Sequence, residues 1–395
     1  MTAAIEQNNY RATRKTAQMR SRERVLGCLA RTGYDRIPIK HEGTPEVNQA
    51  LMEHFGLSNM EQLLVVLGED FRYVAPIYKG PPLRTFADGS IEGYWGEHYI
   101  YAQFEGGKYL ESAYQPFAGI ETLDGLDYSH FPSADWFDYS TIRAQCAALR
   151  QQFAVCAGTP GDLDFINGIS RARGMEQVMM DLVTDNEVYL AIMEARFQFY
   201  YQMHERILQA ADGLIDIMHT GEDFGNQRGP MISMKVFDKH FAPKLKQYFA
   251  MVHSYGASTM MHMCGCCEAF LPRLINLGLD IYDVVQPTTP KMDVAYLKEH
   301  YGEKLTLCGT LCVQTTLPHG TAEDVEREVQ RRLALFSKGG LFLGPTHAIQ
   351  VGTPIENVLA LYRAAGSLSA RIDDSILSIR GDLAAVDKID LSKLY

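Results

Sequence analysis

Short apolar runs alternate along the chain with longer segments in which apolar residues recur every three or four positions. Each short run ends in a polar or glycine-rich turn, as buried β-strands do. Eight runs are predicted as strands: RIPIK (36–40), FRYVAPIY (71–78), FAVCAG (153–158), LIDIMHTG (214–221), STMMHMCG (258–265), IYDVVQP (281–287), LTLCGTL (305–311) and GLFLGPTH (340–347).

The longer segments have helical periodicity, for example NEVYLAIMEARFQFYYQMHERILQAA and AEDVEREVQRRLALF. Thr321, followed three residues later by Asp324, predicts the N-terminal cap of the second of these helices. In the second half of the chain, strand and helix alternate and the strands are almost continuously apolar. This pattern is typical of a parallel sheet that is buried on both faces.

Eight predicted strands favour an α/β fold of the (β/α)8 TIM-barrel type over an open sheet. Residues 79–138 are rich in aromatic residues, glycine and proline, and they predict a β-hairpin insertion after an early strand. The expected organisation is a flexible N-terminal tail (1–20), the barrel (21–375) and a C-terminal extension (376–395).

The charge and the cysteine content limit the possible partners and location. The net charge of −11 argues against binding to nucleic acid or to an acidic membrane surface. No stretch reaches the roughly 18 to 20 apolar residues of a membrane helix. The N-terminus lacks the apolar region of a secretory signal. Eight cysteines without such a signal therefore predict reduced thiols in the cytoplasm.

The segment MMHMCGCC (260–267) carries the candidate metal ligands. His262 and Cys264 are two residues apart at a strand end, so both side chains can point into the mouth of the barrel. Imidazole and thiolate are good zinc ligands, and zinc needs at least a third. His347, at the end of another predicted strand, is the preferred third ligand. Cys308, further inside its strand, is the alternative.

Other polar groups follow predicted strands. Glu222 and Asp223 lie on a loop at the mouth and could act as general acid or base, although adjacent loop carboxylates are often merely solvated. Gln227 follows on the same loop. His41 and Glu42 follow the first strand. His41 and Gln227 are candidates for substrate binding.

Several segments resemble the uroporphyrinogen decarboxylase superfamily. They are GEDFGNQRGPMISMKVFDKHFAPKLKQYF, MMHMCGCCEAFLPRLINLGLDIYDVVQP, LTLCGTL, GTAEDVEREVQ and GLFLGPTHAIQVGTPIENVLALYRA. The resemblance is strong from about residue 213 to 370. It implies the same (β/α)8 barrel as the strand count does.

The resemblance is closer to the cobamide-dependent methyltransferases, such as the methylcobamide:coenzyme M enzymes, than to the decarboxylases. That branch has a His-x-Cys motif and a later cysteine as zinc ligands. His262 and Cys264 match the motif, and His347 stands where the later cysteine would be. The branch often has a carboxylate at the end of the next strand, where this chain has Gln286, a further candidate for substrate binding. The arginine-rich N-terminal motif of the decarboxylases is replaced by DRIPIKHEGTPEVNQAL.

The resemblance thus implies zinc-dependent methyl transfer between a corrinoid protein and a small acceptor or donor: a thiol, a pterin or a methoxylated compound. The chain lacks the cobalamin motif Asp-x-His-x-x-Gly, so cobalamin is expected to arrive on a transiently bound partner protein. One alternative is decarboxylation of a tetrapyrrole such as uroporphyrinogen. Another is a non-catalytic zinc or tetrapyrrole carrier whose metal site is closed by Cys266 or Cys308.

Overall fold

The computed structural model describes residues 18–104 and 107–369. The predicted C-terminal extension and all of the predicted N-terminal tail except residues 18–20 lie outside the described residues. The β-strands are β1 (Phe71–Val74), β2 (Ile77–Tyr78), β3 (Ile91–Glu92), β4 (His98–Phe104), β5 (Gly107–Tyr114), β6 (Phe137–Asp138), β7 (Ala154–Ala157), β8 (Ile217–Gly221), β9 (Ser258–His262), β10 (Ile281–Val285), β11 (Thr306–Leu311) and β12 (Leu341–Pro345).

The α-helices cover most of the segments between these strands. They are α1 (Ser21–Leu29), α2 (Pro45–Phe55), α3 (Met60–Leu67), α4 (Ile142–Leu149), α5 (Asn167–Arg173), α6 (Met175–Thr184), α7 (Glu187–Ala211), α8 (Met234–Val236), α9 (Ala242–Ser254), α10 (Leu271–Leu277), α11 (Val294–Tyr301), α12 (Thr316–His319), α13 (Ala322–Leu335) and α14 (Ile355–Ala364). The predicted cap of α13 is confirmed, because the Thr321 and Asp324 side chains each accept a bond from the other's backbone N–H. Within the described residues, no helix is long and apolar enough to cross a membrane.

Seven strands form one parallel sheet, in the order β1-β7-β8-β9-β10-β11-β12. The predicted first strand, 36–40, lies between the two ends of this sheet. Ile39 pairs in parallel with Leu343 of β12, and its carbonyl accepts a hydrogen bond from Asp70 N–H, next to β1. The segment therefore closes the sheet into a ring. The predicted TIM-barrel fold is confirmed.

A layer of apolar side chains fills the lower part of the barrel. It is formed by Phe71, Ala154, Cys156, Ile217, Met260, Ile281, Cys308 and Phe342, all of them buried. Val25 and Cys28 of α1 belong to the same cluster, so α1 closes the end of the barrel at which the strands begin. Neighbouring strand residues such as Met218, Met261 and Tyr282 pack outward against the helices. The apolar strands thus bury both of their faces, as predicted.

Two early segments differ in detail from the prediction. The run 71–78 divides into β1 and β2, because Pro76 has no N–H to continue the ladder. β2 pairs instead with β6, at the other end of the insertion. Within the insertion, β4 and β5 form the predicted hairpin, and β3 adds a third antiparallel strand.

Candidate metal centre at the barrel mouth

Polar side chains line the barrel directly above its apolar layer. On a strand, residues two apart point to the same side, so the next inward position lies one layer nearer the mouth. On four strands this position is polar although the residue below it is apolar. The pairs are Phe71 and Tyr73, Ile217 and His219, Met260 and His262, and Ile281 and Asp283.

The three residues predicted as metal ligands lie together at this level. The ligand atoms of His262, Cys264 and His347 are all within 4.8 Å of one another. His262 Nε2 is 3.2 Å from Cys264 Sγ, and the rings of His262 and His347 have centroids 5.7 Å apart. His262 ends β9, whereas His347 follows β12 on another side of the mouth. The fold therefore brings together donors that are more than 80 residues apart in sequence.

The donor set fits a zinc ion. Tetrahedral zinc with bonds of about 2.0 to 2.3 Å places neighbouring nitrogen and sulfur ligands roughly 3.5 Å apart, close to the His262–Cys264 separation. Two imidazoles and one thiolate also match zinc's preference for nitrogen and sulfur. Three protein ligands leave one coordination position for a water, thiol or substrate oxygen.

Asp283 is the central acceptor beside this site. It is fully buried, and the register places it directly opposite His262 on the adjacent strand. Its Oδ2 lies 2.9 Å from His262 Nδ1 and 3.3 Å from His219 Nε2, while its Oδ1 lies 3.4 Å from the Nζ of Lys40. His219 is bonded in turn, through Nδ1, to the Tyr73 hydroxyl at 3.2 Å.

The charged residues of this network stabilise one another's ionised forms. Burial opposes ionisation of Asp283, but Lys40, His219 and His262 together hold its pKa well below the usual range. Burial likewise opposes the charged form of Lys40, and Asp283 and Glu42 outweigh it and raise the pKa of the ammonium. The pair is therefore ionised, as buried charges are when each has an opposite charge within reach.

The turn after β9 is held by two of the predicted site residues. Asp223 accepts a hydrogen bond from Cys264 N–H at 2.6 Å, and Gln286 accepts one from Gly265 N–H at 3.0 Å. Gln286 also donates to Gln227, at 2.9 Å. Gly265 has a φ of +78°, and a Cβ there would meet the Asn226 backbone at 2.7 Å. Asp223, Gln227 and Gln286 thus surround the turn that presents Cys264.

Glu222 has a different environment from its neighbour Asp223. It is 2% exposed, and its two oxygens accept the backbone N–H groups of Phe165 and Ile166 at 2.6 and 3.2 Å. Burial and the nearby Asp164 raise its pKa well above the ordinary value. Glu222 therefore holds the loop after β7 through its two backbone hydrogen bonds. Its carboxyl group is bonded to backbone and does not face the metal ligands.

The two residues that follow the first strand, His41 and Glu42, point to opposite sides of the segment. Both ring nitrogens of His41 are bonded, Nδ1 to the Tyr362 hydroxyl and Nε2 to Asn48 at 2.9 Å. Burial lowers the pKa of His41 to about 4. Glu42 instead interacts with Lys40, at 3.3 Å, and its charge acts on His347. His41 thus packs against α14 and the start of α2, and Glu42 is the residue of this pair that faces the site.

Cys308, the alternative third ligand, lies one layer below the site. It is 1% exposed and packs in the apolar layer with Met260 and Phe342. Burial, followed by the charge of Asp283, raises the pKa of its thiol well above the ordinary value. Among the described residues, the groups of potential ligand atoms that lie within 4.8 Å of one another do not include Cys308.

Lys40, Tyr73, His219 and Asp283 were not predicted as site residues. All four belong to segments predicted as strands. For Tyr73, His219 and Asp283, the available signal was a position two residues beyond an inward apolar residue. Which side faces inward becomes clear only when the strands are in register.

Comparison with known structures agrees with this fold. A methyltransferase from Methanosarcina mazei superposes with a TM-score of 0.60 at 16% identity, covering 88% of this chain and 99% of that one. A B12-independent methionine synthase from Shewanella sp. W3-18-1, solved in complex with selenomethionine, gives a TM-score of 0.38 at 12% identity, over 62% of this chain and 68% of that one. The first similarity supports the fold, and the second is too weak to carry an argument.

Comparison by sequence identifies the family. No curated protein sequence matches the chain. The family described as Uroporphyrinogen decarboxylase (URO-D) matches residues 146–368, which is more than half of the chain. The match includes β7 to β12 and all three candidate metal ligands. The chain therefore belongs to the uroporphyrinogen decarboxylase family.

Proposed function

We propose that this chain is a cytoplasmic, zinc-dependent methyltransferase. It moves a methyl group between a corrinoid carried by a partner protein and a small thiol, pterin or methoxylated compound. The observation that carries the proposal is the convergence of His262, Cys264 and His347 within 4.8 Å at the mouth of a URO-D family barrel. The chain also lacks the arginine-rich segment expected of a porphyrinogen decarboxylase. Its eight free cysteines support a reducing compartment.

His262, Cys264 and His347 would hold the zinc ion, which when bound would supply a Lewis acid able to lower the pKa of a thiol or to polarise an ether oxygen. The side chains around it have separate tasks. Asp283 orients His262 from the adjacent strand, and Asp223 and Gln286 fix the turn that presents Cys264.

Asp223 is the better placed of the two predicted acid–base residues. It is half-buried beside Cys264. Its Oδ1 accepts the Cys264 N–H and its Oδ2 accepts a hydrogen bond from the Asn167 side chain at 2.9 Å, and the remaining lone pairs of the carboxylate can still accept a proton or hydrogen bond from a reacting group. Glu222 acts as a positioning residue, because its oxygens hold the backbone after β7. Gln227, exposed and bonded to Gln286, is the candidate for substrate contact at the rim. His41 has no ring nitrogen left for this role.

The methyl-carrying corrinoid is assigned to a partner because the sequence has no cobalamin motif of its own. The partner would dock transiently on the face formed by the βα loops, where the candidate ligands lie. Such an interface is expected to be modest in area and sensitive to salt.

The test combines zinc analysis with methyl transfer. Wild type, Cys264→Ala and Cys266→Ala are compared for bound zinc and for methyl loss from free methylcobalamin with thiols and pterins. With methoxylated compounds, which are methyl donors, the reaction followed is the methylation of free cob(I)alamin. Cys266 is the matched control, since its thiol donates to the Pro290 carbonyl at 3.0 Å. We expect Cys264→Ala to lose both zinc and activity and Cys266→Ala to keep both.

The alternatives give different results in the same experiment. No methyl transfer with any acceptor, nor with a corrinoid protein from the same cell, would refute the methyltransferase proposal. Turnover of uroporphyrinogen by the pure protein would favour the decarboxylase that gives the family its description. Loss of zinc in Cys266→Ala would indicate a closed carrier site. A cobalt-substituted spectrum distinguishes a closed site from an open one.

A further inference from the structure

A buried lysine lies next to the residues that support the candidate metal ligands. Lys40 is 8% exposed, and its Nζ lies between two carboxylates, 3.4 Å from Asp283 Oδ1 and 3.3 Å from Glu42 Oε2. Lysine is rarely buried to this extent unless it is paired. Within 18–104 and 107–369, Lys40 is the only lysine or arginine that forms an ion pair with Asp283.

The two oxygens of Asp283 have different partners. Oδ1 faces Lys40, whereas Oδ2 lies 2.9 Å from His262 Nδ1. A histidine whose Nδ1–H donates to a carboxylate presents the lone pair of its Nε2 on the other side of the ring. In His262 that side faces Cys264, at 3.2 Å, and His347. The orientation of the Asp283 carboxylate therefore determines the direction of the His262 donor atom.

A second group of potential metal ligands shares His262 with the first, because His219, His262 and Asp283 also have ligand atoms within 4.8 Å of one another. The Lys40 ammonium argues against a metal ion in this group. The ammonium places a positive charge 3.4 Å from Asp283, the only carboxylate of this group. A divalent ion bound to the group and the Lys40 ammonium would repel each other. The group is better explained as the support of one metal centre than as a second centre.

We propose that Lys40 is a positioning residue for the zinc centre, acting through Asp283. It fixes the carboxylate so that one oxygen points at His262, and His262 then directs Nε2 at the metal. The same ammonium also pairs with Glu42, which follows the first strand on the other side of the barrel mouth from His262. This inference rests on the proposed function, because it assumes that His262, Cys264 and His347 bind zinc.

The expected effect is on metal affinity. Groups that hydrogen-bond to metal-bound histidines typically change affinity by about 10- to 100-fold when they are removed. Lys40→Met and Asp283→Asn should each weaken zinc binding by about that factor. Because Lys40 acts through Asp283, the double variant should bind zinc no more weakly than Asp283→Asn alone.

The experiment is a chelator competition that measures zinc affinity in the purified full-length chain, without an activity assay. Lys40→Arg, which keeps the cation, should recover most of the affinity. Arg173→Met is the control, since Arg173 and Asp181 form an ion pair of similar burial away from the site. It should leave zinc affinity unchanged. The cobalt-substituted protein provides a second measurement, because a turned His262 alters the cobalt absorption bands.

Each result separates this inference from the proposed function. Zinc lost in Cys264→Ser and weakened in Lys40→Met supports both. Zinc bound normally by Lys40→Met, or losses that multiply in the double variant, overturns the role of Lys40 and leaves the metal centre intact. Absence of zinc from the wild type overturns the metal centre and this inference with it. If Lys40→Met does not fold, Lys40→Gln and Asp283→Asn give the same comparison.

Discussion

Replacing Glu69 by glutamine is expected to make the stability of the protein less dependent on pH. Glu69 is 5% exposed and accepts a hydrogen bond from the backbone N–H of His41, so it anchors the segment that carries Lys40 and Glu42. Burial raises its pKa from an ordinary 4.5 to about 8, against the opposing effects of Arg72 and the His41 N–H. The folded protein therefore disfavours ionisation of this carboxyl group.

The sign and size of the effect follow from this shift. Below pH 4.5 the group is protonated in both the folded and the unfolded state, and it does not affect stability through ionisation. Above pH 4.5 the unfolded state loses the proton first, so the folded state loses relative stability until the pH passes about 8. At about 1.4 kcal/mol per pH unit the full loss is roughly 5 kcal/mol, of which about 2.7 kcal/mol falls between about pH 6 and about pH 9.

The assay is urea unfolding at several pH values for wild type, Glu69→Gln and Glu53→Gln. Glutamine keeps the acceptor for His41 N–H but cannot ionise. The difference in free energy of unfolding between Glu69→Gln and wild type should therefore grow as the pH rises. Glu53, exposed on α2, is the control, and its variant should follow the wild-type slope. Parallel pH profiles for wild type and Glu69→Gln would show that the buried carboxyl group does not titrate in this range.

Two further predictions concern the site. His347→Ala should release zinc whereas Cys308→Ser should retain it, as measured by metal analysis after gel filtration; the reverse result would identify Cys308 as the third ligand. Glu222→Gln should cost about 1 to 3 kcal/mol in urea unfolding, because the new amide nitrogen cannot accept the Ile166 N–H. It should keep its zinc; a complete loss of activity at unchanged stability would instead support a direct catalytic role for Glu222.

Most of the barrel could be predicted from the sequence because its strands are short, apolar and separated by amphipathic helices. The exceptions have local causes. Pro76 divides the run 71–78, which was predicted as one strand. The first strand makes only a single bridge, through Ile39, although it completes the ring. Neither feature depends on hydrophobic pattern, so periodicity could not predict them.

The three candidate ligands could be named in advance because each lies at or just beyond a predicted strand end. The residues after the first strand were harder to assign. His41 and Glu42 are adjacent, and neighbouring residues on an extended chain point to opposite sides. His41 bonds to Tyr362 and Asn48, whereas Glu42 pairs with Lys40 and its charge acts on His347. A shift of one position along the chain would exchange their two sides. The amino-acid composition does not indicate which of the two residues faces the site.

Asp283 marks the limit of what the sequence alone could provide. A single carboxylate in the apolar run IYDVV requires a compensating charge, because burying an unpaired carboxylate carries a large desolvation free energy. That requirement could be stated from the sequence, but the identity of the partner could not. The β9–β10 register places Asp283 opposite His262, and closure of the ring brings Lys40 to its other oxygen. The support of the metal centre is thus a consequence of register and closure, the two properties of a barrel that only the folded chain defines.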